Sequence, residues 1–448
     1  MSAGLPAPPA VPLPPWRIRS LAPGPGAPPD LLELLRRRAG PGESFFYLAR
    51  PARGFGVAAV GALAEVRVSG PCRFERAARA AGRLLRQVSA AAGGRAEGEV
   101  LARAALVASF SFDPDGPGRL ALPRELWISD GTGVHGVALG ACGPDPRDRR
   151  RAGTGPGGPG PEGRRDRPAP AVGGYAIEPD RPPTHYRELV ERALGAIEAG
   201  ELEKVVVARA VTVRALGGPC FDPLALAGAL RDLHPSCAVF CERLPDGSSL
   251  VGATPELLLR RCGAWVESEA LAGTAPAGRD PVAAERFLLG SRKERAEHAS
   301  VVAAITRDLG PYCEVLDLPS EPRPRRHEGV IHLHTPLRGR LRRPHPPLLE
   351  LAGALHPTPA VAGVPSDRAL AFLRRHEALD RGLYGGAVGF LGTGGDGELS
   401  VALRCAHLEG SRARLFAGAG VVAGSSPGRE LAETRLKLGA VLPAVLEL

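Results

Sequence analysis

The chain has 448 residues, of which 44% are hydrophobic and only 4% aromatic, and its formal net charge is +9. No segment approaches the roughly 20 apolar residues of a membrane-spanning helix, and the N-terminus lacks the basic and apolar regions of a secretory signal. So few aromatic side chains argue against a stacking surface for single-stranded nucleic acid. We therefore expect a cytoplasmic globular protein that binds neither membranes nor nucleic acid.

The positive charge is concentrated in two windows. Residues 143–172 contain seven arginines and four acidic residues, and residues 321–345 contain seven arginines and two acidic residues. Both windows are rich in proline, which predicts solvated loops rather than one charged face of a folded domain. A remote alternative is a basic protein that binds nucleic acid through these loops, with a steep dependence of binding on salt.

Composition divides the chain into four segments. Residues 1–30 are rich in Pro and Gly and predict a disordered tail. Residues 31–142 alternate short apolar runs with turn residues, which predicts an N-terminal part of the fold. Residues 143–172 have low complexity and cannot form a packed core, so they predict a disordered insertion. Residues 173–448 show the clearest periodicity and predict the main folded core.

Hydrophobic periodicity and turn residues predict the elements in chain order. In the first part, strands are predicted at 45–48, 55–60, 64–68 and 105–112, and a helix at 75–90. In the second part, helices are predicted at 186–197, 222–233, 281–309 and 348–355, with a last helix that Ser426 caps and Pro427 begins. Strands are predicted there at 204–213, 237–242, 249–253, 332–337 and 415–422, with a hairpin at 390–404.

The lysines are the most informative residues. Only Lys204, Lys293 and Lys437 occur among the 57 basic side chains. Arginine cannot lose its proton in a protein but a buried lysine can, so a lysine is the cation to examine where a base is needed. Lys204 opens an apolar run, where desolvation would favour the neutral amine and make it a candidate general base. A lysine at a strand end that reaches solvent is the alternative.

Carboxylates at helical spacing accompany the other two lysines. Glu297 lies four residues after Lys293 on a predicted helix. On the C-terminal helix, Glu430, Glu433 and Lys437 share one face. Carboxylates from two helices can hold Mg²⁺, which takes oxygen ligands and keeps waters and substrate oxygens in its other positions. Each helix taken alone also fits a solvated stripe with one weak ion pair.

Three further positions carry candidate chemistry. Glu256 follows a strand and a Thr-Pro turn and precedes three leucines, where burial would raise its pKa and make it a candidate general acid; a glutamate at a turn is the alternative. Backbone N–H groups at Gly418 and Gly420 could bind a carboxylate. His332 and His334 have metal-like spacing, but no Cys, His or Asp cluster accompanies them.

Taken together and in this order, these segments resemble the chorismate-utilising enzyme family, and most closely its isochorismate synthases. The matching run covers roughly residues 185–445. Its motifs are Glu-Lys204-Val-Val-Val-Ala-Arg209, Gly252-Ala-Thr-Pro-Glu256, Leu271-Ala-Gly273-Thr274, Ser291-Arg-Lys293-Glu-Arg-Ala-Glu297, His332-Leu-His-Thr-Pro-Leu-Arg-Gly339, His356-Pro-Thr358, Val401-Ala-Leu-Arg404 and Phe416-Ala-Gly418-Ala-Gly420. Each motif is weak alone, and their order makes the resemblance specific.

The resemblance implies an α+β fold, with two large sheets flanked by helices as in anthranilate synthase component I, and chorismate bound with Mg²⁺ between the sheets. It implies an isomerase that converts chorismate to isochorismate by intramolecular hydroxyl transfer, in menaquinone or siderophore biosynthesis. We expect the enzyme to be a monomer.

The resemblance also implies roles for residues at matching positions. Glu297 and Glu433 would hold the metal, with Glu430 close by. Lys204 would activate a water that attacks C2, and Glu256 would protonate the departing C4 hydroxyl. Arg404 would grip the pyruvyl carboxylate, a task that suits its bidentate fork. The expected substrate-binding residues are Gly273, Thr274, His332, Arg404, Gly418, Gly420 and Lys437.

Two other activities of the family stay open as alternatives. Relatives that aminate chorismate usually lack a lysine at the position of Lys204, and no glutamine-hydrolysing domain is evident in this sequence. Salicylate synthases keep that lysine and then eliminate pyruvate, but their segment matching His356-Pro-Thr358 usually differs from the one here.

Overall fold

A computed structural model describes residues 16–22, 30–141, 173–217, 220–327 and 329–448. The predicted insertion at 143–172 lies outside the described residues, as does most of the predicted tail.

Eleven helices are described, numbered here in chain order. They are α1 Leu31–Arg38, α2 Arg73–Ala91, α3 Arg95–Arg103, α4 Pro183–Glu198, α5 Pro223–Leu233, α6 Pro281–Gly290, α7 Arg292–Leu309, α8 Leu348–Leu355, α9 Ser366–His376, α10 Pro427–Leu438 and α11 Leu442–Leu446. Two short 3₁₀ turns lie at Pro51–Arg53 and Gly310–Tyr312. Within the described ranges, no helix is both long and apolar enough to span a bilayer.

The described strands form two sheets. Those of the N-terminal part are β1 Trp16–Leu21, β2 Phe45–Arg50, β3 Phe55–Val60, β4 Ala64–Val68, β5 Leu106–Phe110, β6 Gly118–Leu122, β7 Glu125–Asp130 and β8 Val134–Ala141. The next are β9 Tyr175–Pro179, β10 Lys204–Ala215, β11 Ala238–Arg243, β12 Ser249–Thr254, β13 Leu257–Cys262, β14 Trp265–Pro276, β15 Cys313–Asp317, β16 Arg323–His327 and β17 Val330–Leu341. The last are β18 Gly363–Val364, β19 Ala387–Leu391, β20 Gly397–Val401, β21 Cys405–Glu409 and β22 Arg412–Val422.

Each sheet mixes strands from both ends of the chain. Sheet A has the order β1-β8-β7-β3-β2-β11-β12-β21-β22-β10-β18, with β9 also pairing with β10. Sheet B has the order β15-β17-β14-β13-β20-β19-β5-β6-β4, with β16 pairing with β17. Because β2 pairs with β11 and β5 pairs with β19, strands from residues 31–142 and from residues 173–448 share both sheets of one α+β unit.

The core lies on both faces of sheet A. Along β2, Phe46 and Leu48 belong to the cluster that joins the two sheets, while Phe45 and Tyr47 pack with α1, α5 and α11 on the opposite face. This follows from the two-residue period of a strand, which sends successive side chains to opposite faces. Sheet A is therefore buried on both sides along β2, and its strands read as continuous apolar runs rather than alternating ones.

Three predictions from the sequence are wrong. Within the predicted tail 1–30, Trp16–Leu21 form β1 and pair with β8, because that stretch alternates apolar and polar residues as a strand does. The single helix predicted at 281–309 is two helices, since extended Ser291 follows α6 and its hydroxyl accepts from the Glu294 N–H to begin α7. The window 321–345, predicted as a loop apart from the strand at 332–337, contains all of β16 and β17.

Candidate active site

Lys204 is buried where β10 begins. Its side chain is 1% exposed, and its Nζ lies 3.0 Å from Glu297 Oε1 on α7. Gly420 on the paired strand β22 makes room for this ion pair, because a Cβ there would collide with the Glu297 carboxylate and lie 3.0 Å from Lys204 Cε. The alternative of a strand-end lysine that reaches solvent is therefore excluded, and Gly420 acts by its small size.

Glu256 lies between β12 and β13 and is 4% exposed. Its backbone N–H donates to Thr254 Oγ1 at 3.2 Å, and the Thr358 hydroxyl donates to its carboxyl oxygen at 3.4 Å. Burial and, to a lesser degree, the nearby Glu269 carboxylate raise the pKa of Glu256 to about 8, although Lys204 and Lys437 act in the opposite direction. A carboxyl with such a pKa is protonated at neutral pH and can donate that proton.

All three lysines of the chain meet in one cluster of charges with glutamates from two helices. Lys293 Nζ lies 3.1 Å from Glu430 Oε1 and 3.3 Å from Glu294 Oε1. Lys437 Nζ lies 2.7 Å from Glu433 Oε1, and Lys204 pairs with Glu297. The glutamates stand on α7 and α10, which face each other across the cluster. We call this group, consisting of Glu294, Glu297, Glu430, Glu433 and the three lysines, the charge cluster.

Helix α7 is fixed to sheet B by a buried histidine. His298 forms hydrogen bonds with Thr335 Oγ1 at 2.7 Å and with the Ala272 carbonyl at 3.3 Å. Burial lowers the pKa of His298 to about 4, so the ring is neutral and one nitrogen accepts while the other donates. This contact and the break at Ser291 together aim Glu294 and Glu297 at the charge cluster.

The carboxylates of the charge cluster fit a divalent cation. Burial raises the pKa of Glu430 and of Glu294, and neighbouring carboxylates raise both further, although Lys293 opposes this effect. For Glu297, burial also acts upward, but Lys204 outweighs it and lowers the pKa. Within the described residues no three His, Cys, Asp or Glu side chains already converge as metal ligands, because each of these glutamates is turned towards a lysine. Desolvated oxygen donors that repel one another are nonetheless the donor type that Mg²⁺ takes.

The opposite wall of the site is a chain of hydrogen bonds that begins at Thr274. The Thr274 hydroxyl lies 3.2 Å from His332 Nδ1, and Arg404 Nη2 donates to His332 Nε2 at 2.9 Å. Burial and the Arg404 charge hold the pKa of His332 well below its usual value, so the ring is neutral and accepts from Arg404. Lys437 donates to the Gly418 carbonyl at 2.9 Å, which joins this wall to α10.

Two glycines here are required by the backbone and by space. Gly273 has a φ of +75°, which favours glycine, and a Cβ there would lie 3.1 Å from the Glu294 carbonyl. A Cβ on Gly418 would lie 3.2 Å from the Tyr384 hydroxyl. The chain therefore passes close to α7 and Tyr384 on either side of the site.

Most of the predicted site residues line one cavity between the two sheets. Those that do are Glu256, Gly273, Thr274, Glu297, His332, Arg404, Gly418, Gly420 and Lys437. The other three do not line it: Lys204 pairs with Glu297 and Glu433 pairs with Lys437, both of which line the cavity, whereas Glu430 pairs with Lys293, which does not.

The sequence did not single out several residues of this site. Tyr384 and Phe416 line the cavity and stack with ring centroids 5.1 Å apart. No spacing signal pointed to Tyr384, because it lies between helix α9 and strand β19 in a segment without periodicity. Glu294 directly follows Lys293 and was not assigned to the metal, although its i, i+3 spacing to Glu297 puts both on one helix face.

Comparisons with known proteins agree with this geometry. The model of a family described as chorismate binding enzyme matches residues 167–446. Isochorismate synthase DhbC of Bacillus subtilis is 40% identical over 283 residues, which are 60% of this chain and 70% of that protein. Isochorismate synthase EntC of Escherichia coli is 37% identical over 262 residues, which are 58% of this chain and 66% of that protein. The structure of MenF, the menaquinone-specific isochorismate synthase from Escherichia coli, aligns with a TM-score of 0.77 at 26% identity and covers 97% of this chain and 95% of that one.

Proposed function

The chain belongs to the family of chorismate binding enzymes, and from that premise we propose that it is an isochorismate synthase, which isomerises chorismate to isochorismate. One observation carries the proposal. A buried carboxyl with its pKa raised to about 8, Glu256, faces the same cavity as the ion pair of Lys204 and Glu297. The proximity of a candidate proton donor and a candidate base to one cavity supports the proposal.

The proposed reaction uses these two groups in opposite directions. Lys204 removes a proton from a water whose oxygen forms a bond to C2 of chorismate. The ring double bonds shift, the bond from C4 to its hydroxyl oxygen breaks, and Glu256 gives its proton to that oxygen, which leaves as water. Because one water enters and one leaves, substrate and product are isomers. General acid–base catalysis of this kind contributes about 10²–10⁴-fold to a rate.

Lys204 can act as a base only after its ammonium group has lost a proton. In the described arrangement Lys204 Nζ lies 3.0 Å from Glu297 Oε1. Their close contact makes the two residues one functional unit.

The cavity wall supplies the groups that recognise a dicarboxylate substrate. Arg404, with a φ of 45° and a buried side chain, offers a guanidinium fork for the pyruvyl carboxylate. Thr274, Lys437 and the backbone at Gly273, Gly418 and Gly420 are available for the ring carboxylate. His332 acts by holding Arg404 in place through its neutral ring.

Mg²⁺ is the proposed cofactor, held by Glu297 and Glu433 with Glu430 beside them and with Glu294 as a further carboxylate. When bound, it would supply positive charge that clamps the ring carboxylate. The carboxylates must turn away from their lysines to hold it. The product would then serve menaquinone or siderophore biosynthesis.

The deciding experiment is product analysis after purified protein is incubated with chorismate and Mg²⁺ in the absence of ammonia. We expect isochorismate, formed reversibly and lost when EDTA is added. Salicylate with pyruvate would move the assignment to the pyruvate-eliminating relatives. Turnover only after ammonia is added would move it to the aminating relatives.

A further inference from the structure

A second buried carboxylate lies beside the proposed acid without touching the cavity. Glu269 on β14 accepts three hydrogen bonds: from the Leu257 backbone N–H at 2.7 Å, from Arg325 Nη1 at 2.7 Å and from His334 at 3.0 Å. Leu257 is the residue directly after Glu256. The three donors come from β13, β16 and β17, so the Glu269 carboxylate is locked in one orientation next to the turn that carries Glu256.

The partners of Glu269 keep it ionised. Burial acts to raise its pKa, but the hydrogen bond from His334 and the charge of Arg325 outweigh burial and lower the pKa to about 2. Glu269 therefore carries a negative charge at neutral pH. Glu256 is 4% exposed and accepts a hydrogen bond from the uncharged Thr358 hydroxyl.

The charges that face Glu256 come from three elements. Lys204 on β10 and Lys437 on α10 favour its ionised form, as does the hydrogen bond from Thr358, whereas Glu269 on β14 favours its protonated form. If Glu269 were neutral, the charges acting on Glu256 would be predominantly positive. A carboxyl in that field gives up its proton at lower pH and cannot then donate it to a leaving hydroxyl.

We propose that Glu269 is a positioning residue for the Glu256 carboxyl, holding the backbone at Leu257 and, as a permanent negative charge, keeping the transferable proton on Glu256 in the presence of two nearby lysines. This inference rests on the proposed role of Glu256 as the acid. Its alternative is a structural role, in which Glu269 only ties β14 to β16 and β17. The two roles differ in what they do to the dependence of the rate on pH.

The test compares pH profiles of kcat for isomerisation in the wild type and in Glu269→Gln. The amide preserves size and can still accept from the Leu257 N–H. We expect the high-pH limb, where Glu256 loses its proton, to move to lower pH by about one unit. Below the limb the rate should stay within a few-fold of wild type. A rate that falls equally at every pH, with the limb unmoved, would overturn the proposal and leave only the structural role.

The matched control is Glu267→Gln. Glu267 is two residues earlier on the same face of β14 and pairs with Arg260 at 3.0 Å, but it lies outside the cavity. The control makes the same substitution in the same strand and also removes one arginine ion pair. Its pH profile should match the wild type, and a limb shifted as far as in Glu269→Gln would contradict the proposal.

Arg325→Gln tests the same proposal through a pH shift in the opposite direction. It also provides the test if Glu269→Gln does not fold. It leaves the carboxylate bonded to His334 and Leu257 while removing a nearby cation. The limb should then move to higher pH, and a stationary limb or one moved to lower pH contradicts the proposal.

A readout independent of turnover separates this inference from the proposed function. Infrared difference spectra taken during a pH titration report the protonated carboxyl of Glu256, identified as the band that Glu256→Gln removes. We expect that band to titrate at lower pH in Glu269→Gln even without substrate. If the wild type does not isomerise chorismate but the band shifts, the proposed function fails while the coupling of Glu269 to Glu256 stands. If isomerisation occurs and the band does not shift, the inference fails alone.

Discussion

The two walls of the cavity shift the pKa of a buried carboxyl group in opposite directions. On the sheet B side, burial and the Glu269 charge raise the pKa of Glu256 to about 8. On the helix side, Glu297 is also buried, but Lys204 at 3.0 Å lowers its pKa. Burial acts upward on both groups, so the neighbouring charges decide the outcome. A proton donor and a cation ligand need these opposite states, and one cavity supplies both.

The largest expected effect comes from replacing Lys204 on the helix side of the cavity. Lys204→Ala should lower the isomerisation rate by about 10²–10⁴-fold, because no base remains to activate water. Lys204→Arg is the matched variant, since it keeps the positive charge beside Glu297 but cannot lose a proton. Both should lose turnover, while circular dichroism shows a folded protein. Turnover near the wild-type rate in Lys204→Arg would rule out Lys204 as the base.

Removing one carboxylate from the charge cluster should weaken the binding of the cation rather than the acid function of Glu256. Glu433→Ala should raise the Mg²⁺ concentration needed for half-maximal activity by about 10–100-fold, the loss typical of a disturbed metal site. The control is Glu191→Ala, an exposed glutamate on neighbouring α4 that lies outside the cluster. Magnesium titrations of activity, supported by calorimetry of Mg²⁺ binding, measure the effect. An unchanged magnesium response would remove Glu433 from the ligand set.

A substitution at Gly420 tests whether the ion pair on the helix side of the cavity depends on close packing. In Gly420→Ala the new methyl group would collide with the Glu297 carboxylate and crowd Lys204, so the ion pair must shift. Overpacking of this kind costs about 1–3 kcal/mol of stability, and we expect a rate loss of roughly tenfold or more with it. Gly418→Ala is the milder comparison, because its nearest atoms lie 3.2 Å away. Denaturant melts and rates should rank the two variants in that order, and equal effects would contradict the role of Gly420.

The smallest expected effect concerns the hydrogen bond from Thr358 to Glu256 on the sheet B side of the cavity. The Thr358 hydroxyl donates to Glu256 and favours its ionised form, so removing it should raise the pKa of Glu256. The wild-type rate should fall as the pH rises through about 8, because the acid must be protonated to act. In Thr358→Val that fall should move to higher pH by about a few tenths of a unit. A shift to lower pH in the kcat profile would contradict the assigned direction.

Glu269 shows why part of the site was not predicted. In Trp265-Val-Glu-Ser-Glu-Ala the glutamates occupy alternate positions, the pattern of a strand with one solvated polar face. The fold covers that face with Arg325 from β16 and His334 from β17. Both partners lie more than fifty residues away in sequence, so no local pattern could reveal that Glu269 is enclosed. The same holds for the contact of buried Arg381 with the Val206 carbonyl of β10, which lies 175 residues away in sequence.

Apolar periodicity in the sequence by itself predicted about half of the described strands and most of the described helices, and these are local properties set by residue type at each position. The order of the motifs that carry Lys204, Glu256 and the helix glutamates supports the family resemblance, which implies the α+β class. Only the tertiary structure decided which charges meet. It broke the helix at Ser291, brought all three lysines to one cluster and placed Glu269 beside Glu256. The energy of a charge depends on its burial and its neighbours in space, and neither is written in the spacing of residues along the chain.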